Sequence, residues 1–392
     1  MAASPRDGGP ELDYEGEEAA ILSATERLGL SLSVEESGCL EFLLERLDGE
    51  EAFEAIHLSG HGDVLDADDA KRLADQGAEP GPTLLLEDPE GRRAFASPGR
   101  LARAWGGNAP KHVFLSACRT AEGTEGSAST FARTLVRAVP SVVGWDGSVF
   151  DTDAIAFAES FYRALAAHQT PAFAAADARR TLLQGFLKER EAGAHWHFAR
   201  LYLGASGGGP LCTKAAPRRK LPKNAGFQAF LDKDRDRVPV AGARAFVGRR
   251  REAQAALRDF RRDEAPGLLL HGMGNLGKSS LAARIANRLS RLRAVVAFRD
   301  YDPAAMLEQI IGALPPADRH DVLERWKPML AQRPAALAEA LEEVLEGPFH
   351  DRPILLIIDD LEQVLEDPAP GPAATLVKQA NGWRASIAAV LA

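Results

Sequence analysis

Short apolar runs alternate with longer amphipathic segments along the first half of the chain. The runs at Phe53–Leu58 and Val113–Leu115 have the length and composition of buried β-strands. Apolar residues at helical spacing predict helices over Glu11–Leu28 and Leu40–Leu47. Strands that alternate with helices at this spacing favour an α/β domain with a mostly parallel sheet.

The other elements of this half follow from the same periodicities and from turn residues. Asp88–Gly91 (DPEG) is a predicted turn between a strand over Thr83–Leu86 and a return strand that begins near Phe95. The remaining predicted elements are a helix over Arg100–Trp105, two helical pieces within Thr170–Lys188 and a last strand over His195–Gly204.

In the second half, a glycine-rich loop lies between a predicted strand, Leu268–Leu270, and a predicted helix, Ser280–Leu289. The loop is Gly272–Ser279 (GMGNLGKS), and a GxxxxGK[ST] loop in this context is typical of phosphate binding. Its backbone N–H groups would face the phosphates. The loop glycines are Gly272, Gly274 and Gly277.

Side chains at the end of this loop and after a later strand complete the predicted phosphate site. Lys278 would reach the terminal phosphates, and the Ser279 hydroxyl would help to bind Mg²⁺. The apolar run Pro353–Ile358 (PILLII) predicts a buried parallel strand, and it ends in Asp359 and Asp360. Asp359 would hold Mg²⁺, often through water, and Asp360 could position an attacking water. We therefore expect ATP or ADP with Mg²⁺ as the cofactor of this half.

Length and charge narrow the possible partners. The chain has 392 residues, which favours two or three domains, and its net charge of −9 gives no overall basic field for nucleic acid. Ala205–Asn224 is rich in Gly, Pro and basic residues, which is typical of an interdomain linker. Its basic run at Arg218, Arg219 and Lys220 could bind nucleic acid, but such runs are usually only solvated.

The cysteine content and the termini suggest a compartment. No apolar run approaches the roughly 20 residues of a membrane span, and the acidic N-terminal segment is unlike a signal peptide. Cys39, Cys118 and Cys212 are widely spaced, so they predict neither a disulfide framework nor a zinc site. This pattern is typical of a reducing cytoplasm, and we expect no membrane partner.

Cys118 lies in a segment, Lys111–Thr120 (KHVFLSACRT), where an apolar run ends and a polar loop, Ala121–Thr130, begins. Reactive side chains of parallel-sheet proteins cluster at the carboxyl ends of strands. The upstream segment Ala55–Gly62 (AIHLSGHG) has the same arrangement and ends in a His-Gly pair. A histidine some 50 residues before an Ala-Cys signature is also the order found in caspases.

Together these two segments resemble the CHAT proteases, bacterial relatives of caspases and separase. The resemblance continues through residues 131–165 and covers roughly residues 11–205. It implies a caspase-like three-layer α/β/α domain with a protein substrate. Cys118 would be the nucleophile and His61 its base, and the N–H groups of Gly62 and Cys118 would form an oxyanion hole. The resemblance implies no third catalytic residue and no cofactor for this site. The family usually opens with an apolar strand, and because only Ala2–Pro5 stands there, we expect that strand to be absent or trimmed.

Other residues compete for these roles. His57 is also followed by small residues, but it falls inside the predicted strand and lacks the following glycine, so we expect it to pack in the core. We expect Cys39, Cys212 and His112 to be structural. In the CHAT clan the segment Gly144–Asp153 would shape the substrate pocket.

Acidic residues in that segment suggest a specificity. Asp146 and Asp151, with Asp153 beside them, could select a basic residue before the scissile bond. They could equally be loop caps or solvated turn residues.

The second half resembles a STAND-type ATPase over about residues 244–392. The segment Phe246–Arg249 (FVGR) precedes a predicted helix over Glu252–Phe260 and then the phosphate loop, and Val295–Phe298 is the next predicted strand. Val247 and Gly248 would lie near the adenine. The resemblance implies a switch that uses ATP to self-assemble in response to a sensor ligand. The sensor arginine, winged helix and repeat array of such proteins are not found, and Arg384 lacks a preceding strand. We therefore expect a C-terminally incomplete domain for which ATP binding is better supported than ATP hydrolysis.

These expectations combine into one prediction. Residues 1–10 would be loose, residues 11–205 a CHAT-like protease, residues 206–243 a linker and residues 244–392 a P-loop NTPase α/β domain. The whole would be a bacterial cysteine endopeptidase for defence or cell-death signalling, regulated by an ATP switch. The alternative is a caspase-like interaction module that no longer cleaves, carried on an ATP-dependent scaffold.

Overall fold

The computed structural model describes residues 1, 3, 12–26, 32–49, 53–118, 131–189, 192–212, 227–231, 238–242, 246, 248–261, 267–289, 291–361 and 383–391. The chain divides into two compact units. The first comprises Met1–Gly226 and Ala243–Glu264, and the second comprises Phe227–Gly242 and Ala265–Ala392.

The first unit contains both helices and strands. Its helices are α1 (Tyr14–Thr25), α2 (Leu40–Gly49), α3 (Ala67–Arg72), α4 (Pro98–Trp105), α5 (Phe131–Leu135), α6 (Asp151–Ala166), α7 (Pro171–Lys188) and α8 (Arg250–Arg261). Its strands are β1 (Ala55–Ser59), β2 (His61–Leu65), β3 (Gly81–Glu87), β4 (Arg93–Ala96), β5 (His112–Ser116), β6 (Ser141–Trp145) and β7 (Ala199–Leu203).

A four-stranded sheet with the order β1-β5-β6-β7 forms the centre of this unit. Strand β5 pairs in parallel with β1 and β6, and β7 closes the other edge antiparallel to β6. The predicted α/β fold with a mostly parallel sheet is confirmed. Because the carboxyl ends of β1, β5 and β6 meet at one edge, the loops that follow them converge there.

Alternation along β5 creates the two apolar layers of the sandwich. Val113 and Leu115 face a core built with α2, α4 and α5, whereas Phe114 faces a core built with α1, α6 and α7. All three side chains are fully buried. The chain therefore has helices on both faces of the sheet, which is the predicted three-layer arrangement.

A separate antiparallel sheet, β2-β3-β4, extends from the His61 segment. The predicted β3–β4 hairpin is confirmed. Strand β2 begins at His61, directly after Gly60, so His61 starts an antiparallel strand instead of lying in an open loop. Leu65, Leu85 and Phe95 bury the inner side of this sheet beside α3.

The edge of the sheet beside β1 is occupied by the first residues of the chain. The N-terminal amine of Met1 donates to the His57 carbonyl at 2.9 Å, and Ser59 N–H donates to the Met1 carbonyl at 3.0 Å. Ala3 N–H donates back to the Ser59 carbonyl at 2.7 Å. Met1 and Ala3 therefore form hydrogen bonds with the edge of β1, where we expected the first strand to be absent or trimmed.

Two predictions for the end of this unit are wrong. Thr170–Lys188 is one helix rather than two pieces: Thr170 caps it, Pro171 occupies its first turn, and no further proline interrupts it. The last strand begins at Ala199 rather than His195, because the carboxylate of Asp153 holds the preceding turn through hydrogen bonds from Gly193 N–H and His195 N–H.

The second unit is built around a parallel strand pair. Its strands are β8 (Phe227–Leu231), β9 (Val238–Ala241), β10 (Arg293–Phe298) and β11 (Ile354–Asp359). Its helices are α9 (Lys278–Arg288), α10 (Pro303–Ile311), α11 (Pro316–Gln332), α12 (Leu337–Glu346) and α13 (Trp383–Leu391). Strand β11 pairs in parallel with β10, so the predicted parallel strand is present, but its residues are half-buried and not fully buried as predicted.

Other predictions for the second half differ from the structure. The predicted linker, residues 206–243, contains the β8–β9 hairpin, and residues 243–264 belong to the first unit. Within the described residues, Leu268–Leu270 is not a strand; Leu268 and Leu269 are exposed and lack a pairing strand. The basic run at Arg218, Arg219 and Lys220 lies outside the described residues.

His112 generates a stability prediction. It is fully buried, its ring stacks on Phe161 with a centroid separation of 5.2 Å, and Nδ1 lies 2.8 Å from the Ser141 hydroxyl. Burial, with a smaller contribution from the charge of His57, lowers the pKa of His112 to about 3. Because the unfolded chain takes up this proton first, the stability that neutral His112 supports is lost as pH falls from its ordinary pKa of 6.5 toward 3.

As the pH falls through mild acid, we expect the unfolding free energy of His112→Gln to decrease less steeply than that of the wild type. The difference in slope should be up to about 1.4 kcal/mol per pH unit. Glutamine can still donate to Ser141 but does not titrate. The measurement is urea denaturation across that pH range, with the exposed His197→Gln as the control. An unchanged slope in His112→Gln would show that other groups, such as the buried carboxylates, cause the acid sensitivity.

Candidate functional site

The ends of β1 and β5 open into a pocket of about 170 Å³. Ser59 and Ser116 are paired at these ends, and the N–H of Gly60 donates to the Ser116 carbonyl at 3.0 Å. His61 and Cys118 each follow two residues after that pair, and both line the pocket. Parallel pairing therefore brings the predicted nucleophile and the predicted base to one cavity.

Cys118 is partly exposed at the end of β5, and its Sγ lies 4.0 Å from the Val149 carbonyl. A thiol that reaches a pocket beside an imidazole can lose its proton and attack a carbonyl carbon. The predicted polar loop, Ala121–Thr130, lies outside the described residues.

Two glycines flank His61, the predicted base. Gly62, the predicted donor, is paired opposite Leu84 in the antiparallel sheet and is not among the residues found to line the pocket. Gly60 lines the pocket, and its N–H is directed to the Ser116 carbonyl. The role of the Gly62 N–H stays a prediction.

His57 lies on the core side of β1. Its ring stacks on Phe114 with a centroid separation of 4.6 Å, and its Nδ1 lies 3.0 Å from the Tyr162 hydroxyl. Its Nε2 lies 3.3 Å from the carboxylate of Glu17. Both ring nitrogens therefore face buried partners, as expected for a packed histidine, and His61 is the histidine that faces the pocket.

Glu17 forms the polar floor of the pocket. Its side chain is almost fully buried and accepts a 2.6 Å hydrogen bond from the Ser116 hydroxyl. A side-chain hydrogen bond from Ser59 reaches the same carboxylate. Burial by itself would raise the pKa of Glu17, but the charge of the neighbouring His57 and the hydrogen bonds from both serines outweigh it and lower this pKa. Glu17 is thus held as a carboxylate.

The pocket wall is acidic beyond Glu17. Asp13, Tyr14 and Asp151 also line it, and one carboxylate oxygen of Asp151 accepts the Asp13 N–H at 2.9 Å. The apolar part of the wall includes Trp145 and Val149. This combination can accept a side chain with an apolar stem and a cationic end.

The three aspartates expected to shape the pocket lie in different surroundings. Asp151 lines the pocket. Asp146 pairs with the guanidinium of Arg200 at 2.9 Å and is not among the residues found to line it. Asp153 is buried and accepts hydrogen bonds from the Gly193–His195 turn, with His195 Nδ1 at 2.7 Å. Asp153 is therefore a structural cap, one of the alternatives considered for these residues.

The other two cysteines are held in the thiol form. Burial and a hydrogen bond to the Glu41 carboxylate raise the pKa of Cys39. Burial and then the charge of Glu54 raise the pKa of Cys212. Because the thiolate is the reactive form, neither cysteine has the environment of a nucleophile.

Sequence reasoning missed the contribution of α1 to the pocket. Asp13, Tyr14 and Glu17 come from a helix that was predicted only as an amphipathic element. A signal was present: Glu17 lies one turn before Ile21, on the buried face of the helix. A carboxylate on an apolar helical face needs buried partners.

The phosphate loop precedes α9 in the second unit. Gly272 and Gly277 have φ angles of 145° and 80°, which favour glycine, and the space beside Gly274 is open. The Nζ of Lys278 reaches back over the loop and donates to the carbonyls of Gly272 and Met273 at 3.1 and 3.2 Å. The cationic group thus lies beside the exposed loop backbone.

The predicted magnesium ligands meet at the end of β11. The Ser279 hydroxyl lies 3.1 Å from a carboxylate oxygen of Asp359. The carboxylate of Asp360 lies 3.7 Å from the guanidinium of Arg299. An open glycine loop, an ammonium group and an adjacent hydroxyl–carboxylate pair fit a nucleotide with Mg²⁺.

The predicted role of Val247 and Gly248 near the adenine stays a prediction. Gly248 belongs to the first unit, where its N–H donates to the Glu36 carboxylate at 2.6 Å. Val247 lies outside the described residues. The side chain of Arg384 also lies outside the described residues.

Comparison with known families gives two matches. A family model described as the CHAT domain matches residues 2–205, and a model described as the AAA ATPase domain matches residues 245–379. A CHAT domain is therefore followed by an ATPase domain, as the two resemblances implied. No curated protein matches the chain. None of the described helices is both long and apolar enough to cross a membrane.

We expect Lys278→Ala to weaken ATP–Mg²⁺ binding by about tenfold or more, because it removes the point charge that faces the phosphates. Titration of a fluorescent ATP analogue measures the affinity. The matched control is Lys327→Ala, which removes an exposed lysine from α11 of the same unit. Equal affinities for the wild type and Lys278→Ala would contradict the assignment of the loop.

Proposed function

The chain belongs to the CHAT domain family, and from this premise we propose that its first unit is a cysteine endopeptidase that cleaves a protein target. CHAT domains are a caspase-like protease family. The observation that carries the proposal is the pocket at the ends of β1 and β5, which His61 and Cys118 both line.

The proposed reaction proceeds through an acyl-enzyme. His61 takes the proton from Cys118, and the thiolate adds to the scissile carbonyl carbon. Backbone N–H groups of Gly62 and Cys118 stabilise the oxyanion. His61 then gives the proton to the leaving amine, and water hydrolyses the thioester to release the acid and the free thiol.

The pocket supports selection of a basic residue before the scissile bond. The carboxylate of Glu17 already contacts Ser116 and His57. In the contacts described for Asp151, one carboxylate oxygen accepts the Asp13 N–H and the other has no hydrogen bond. A guanidinium or ammonium group can use the remaining acceptor capacity of Asp151. The indole of Trp145 and the Val149 side chain would contact the aliphatic stem.

The second unit is proposed to bind ATP and to regulate the protease. Lys278 would contact the phosphates, and Ser279 and Asp359 would hold Mg²⁺, directly or through water. Mg²⁺, when bound, neutralises phosphate charge. Asp360 would orient water, which leaves hydrolysis as a question separate from binding.

Helix α8 supplies a physical route for this regulation. It lies in the range matched by the ATPase model but packs on the first unit. The guanidinium of Arg250 lies 4.5 Å from the Tyr14 ring centroid and 3.7 Å from the buried Glu87 carboxylate. The Gln254 amide donates to the same carboxylate at 2.5 Å. Because Tyr14 lines the pocket, movement of α8 would alter the pocket wall.

We extend the proposal to signalling in a bacterial cytoplasm, in defence or cell death. Two observations support it: a CHAT domain is followed by an ATPase domain, and the three cysteines, all among the described residues, form no disulfide. Self-assembly through the ATPase domain and a sensor ligand would then control activity.

The test is incubation of the purified chain with a positional-scanning library of fluorogenic peptides, with and without ATP and Mg²⁺. We expect cleavage after Arg or Lys that falls by roughly a thousandfold in Cys118→Ala and His61→Ala, because the nucleophile or its base is removed. Cys212→Ala is the matched control and should cleave normally. Equal cleavage by Cys118→Ala would contradict the proposal.

The same library tests the basis of specificity. Asp151→Asn should lower the preference for basic residues, whereas Asp146→Asn should change it little because Asp146 is already paired with Arg200. If Asp146→Asn changed the preference for basic residues and Asp151→Asn did not, the cationic end of the substrate would bind another part of the surface.

A further inference from the structure

The Glu17 carboxylate connects the two strands that carry the dyad. It accepts the Ser116 hydroxyl at 2.6 Å at the end of β5 and a hydrogen bond from Ser59 at the end of β1. It also lies 3.3 Å from Nε2 of His57, within β1. One side chain from α1 therefore bridges both strand ends beneath the pocket.

The spacing from these serines to the reactive residues is the same on both strands. Ser59 lies two residues before His61, and Ser116 lies two residues before Cys118. Backbone pairing fixes the register up to these serines, and His61 then enters another sheet. The Glu17 contacts to the two serines therefore lie at the last paired position of β1 and β5.

A buried carboxylate is a costly way to fill space. Its desolvation must be offset by several partners, and an apolar side chain of similar size often stabilises a core as well or better. The partners of Glu17 lie on β1 and β5, two of them at the strand ends, rather than on its own helix. This placement favours a role in geometry over a role in stability alone.

We propose that Glu17 is a positioning residue for the Cys118–His61 pair, because its carboxylate holds the ends of β1 and β5 at the separation that proton transfer from thiol to imidazole needs. The inference rests on the proposed function of this pocket. Glu17 does not contact the substrate carbonyl in this account; it acts through Ser59 and Ser116.

The experiment measures the alkylation rate of Cys118 by iodoacetamide at neutral pH in the full chain. Peptide mapping by mass spectrometry separates Cys118 from Cys39 and Cys212, and urea unfolding is measured in parallel. The wild-type rate should exceed that of the urea-unfolded chain, and His61→Ala should remove the difference. Glu17→Gln keeps the size of the side chain but removes the charge, and we expect it to lower the rate by about tenfold.

Two further variants separate positioning from folding. Glu18→Gln makes the same charge change on the next residue of α1, and the native alkylation rate should persist. Ser116→Ala removes one of the two strand-end contacts with a small change in volume, and it serves if Glu17→Gln fails to fold. The double variant Glu17→Gln/Ser116→Ala should alkylate at about the same rate as Glu17→Gln alone, because both substitutions remove the same Glu17–Ser116 contact.

The outcomes distinguish the two proposals. If iodoacetamide alkylates Cys118 no faster in the folded wild type than in the unfolded chain, the proposed function fails and this inference fails with it. If His61→Ala removes the advantage while Glu17→Gln and Ser116→Ala retain it, the dyad stands and the positioning role of Glu17 is overturned. Lower unfolding free energy with an unchanged rate in the folded variants would show that Glu17 is only structural.

Discussion

The parallel pairing of β1 with β5 is the constraint on which the candidate active site depends. The register places Ser59 opposite Ser116, so the segments that follow leave the sheet side by side with His61 on one and Cys118 on the other. No local sequence preference could bring together two residues so distant along the chain; the sheet must form first. The apolar layers on both faces, built on Phe114 on one side and on Val113 and Leu115 on the other, fix that register because a one-residue slip would exchange the faces.

A polar layer lies between this apolar frame and the pocket. Glu17, His57 and Tyr162 are linked to one another beneath the strand ends, and Ser116 connects them to β5. Burial and the charge of Glu17 raise the pKa of Tyr162, so its hydroxyl remains a donor and acceptor in this network. Such a network is stabilising only when its members are satisfied, which makes α1, the source of Glu17, part of the site and not merely a cover for the sheet.

Much of this could be predicted from sequence because the physics is local. The apolar run before Cys118 predicts β5, the turn residues at Asp88–Gly91 predict the hairpin, and the Gly272–Ser279 pattern predicts the phosphate loop. Other features depend on distant partners. The roles of Glu17 and Asp153 follow from groups more than 30 residues away, and Leu268–Leu270 has strand composition but no neighbouring strand to pair with among the described residues. The packing of α8 on the first unit likewise depends on Tyr14 and Glu87, which no periodicity within α8 could indicate.

The most direct test of the central claim is covalent capture of the nucleophile. The chain is incubated with a peptidyl ketone electrophile that carries arginine before the reactive carbon, and mass spectrometry then locates the adduct. The account predicts one adduct, on Cys118, that forms in the folded protein and is lost in His61→Ala or after denaturation. Labelling that is spread over Cys39, Cys118 and Cys212, or that is as fast on the unfolded chain, would contradict it.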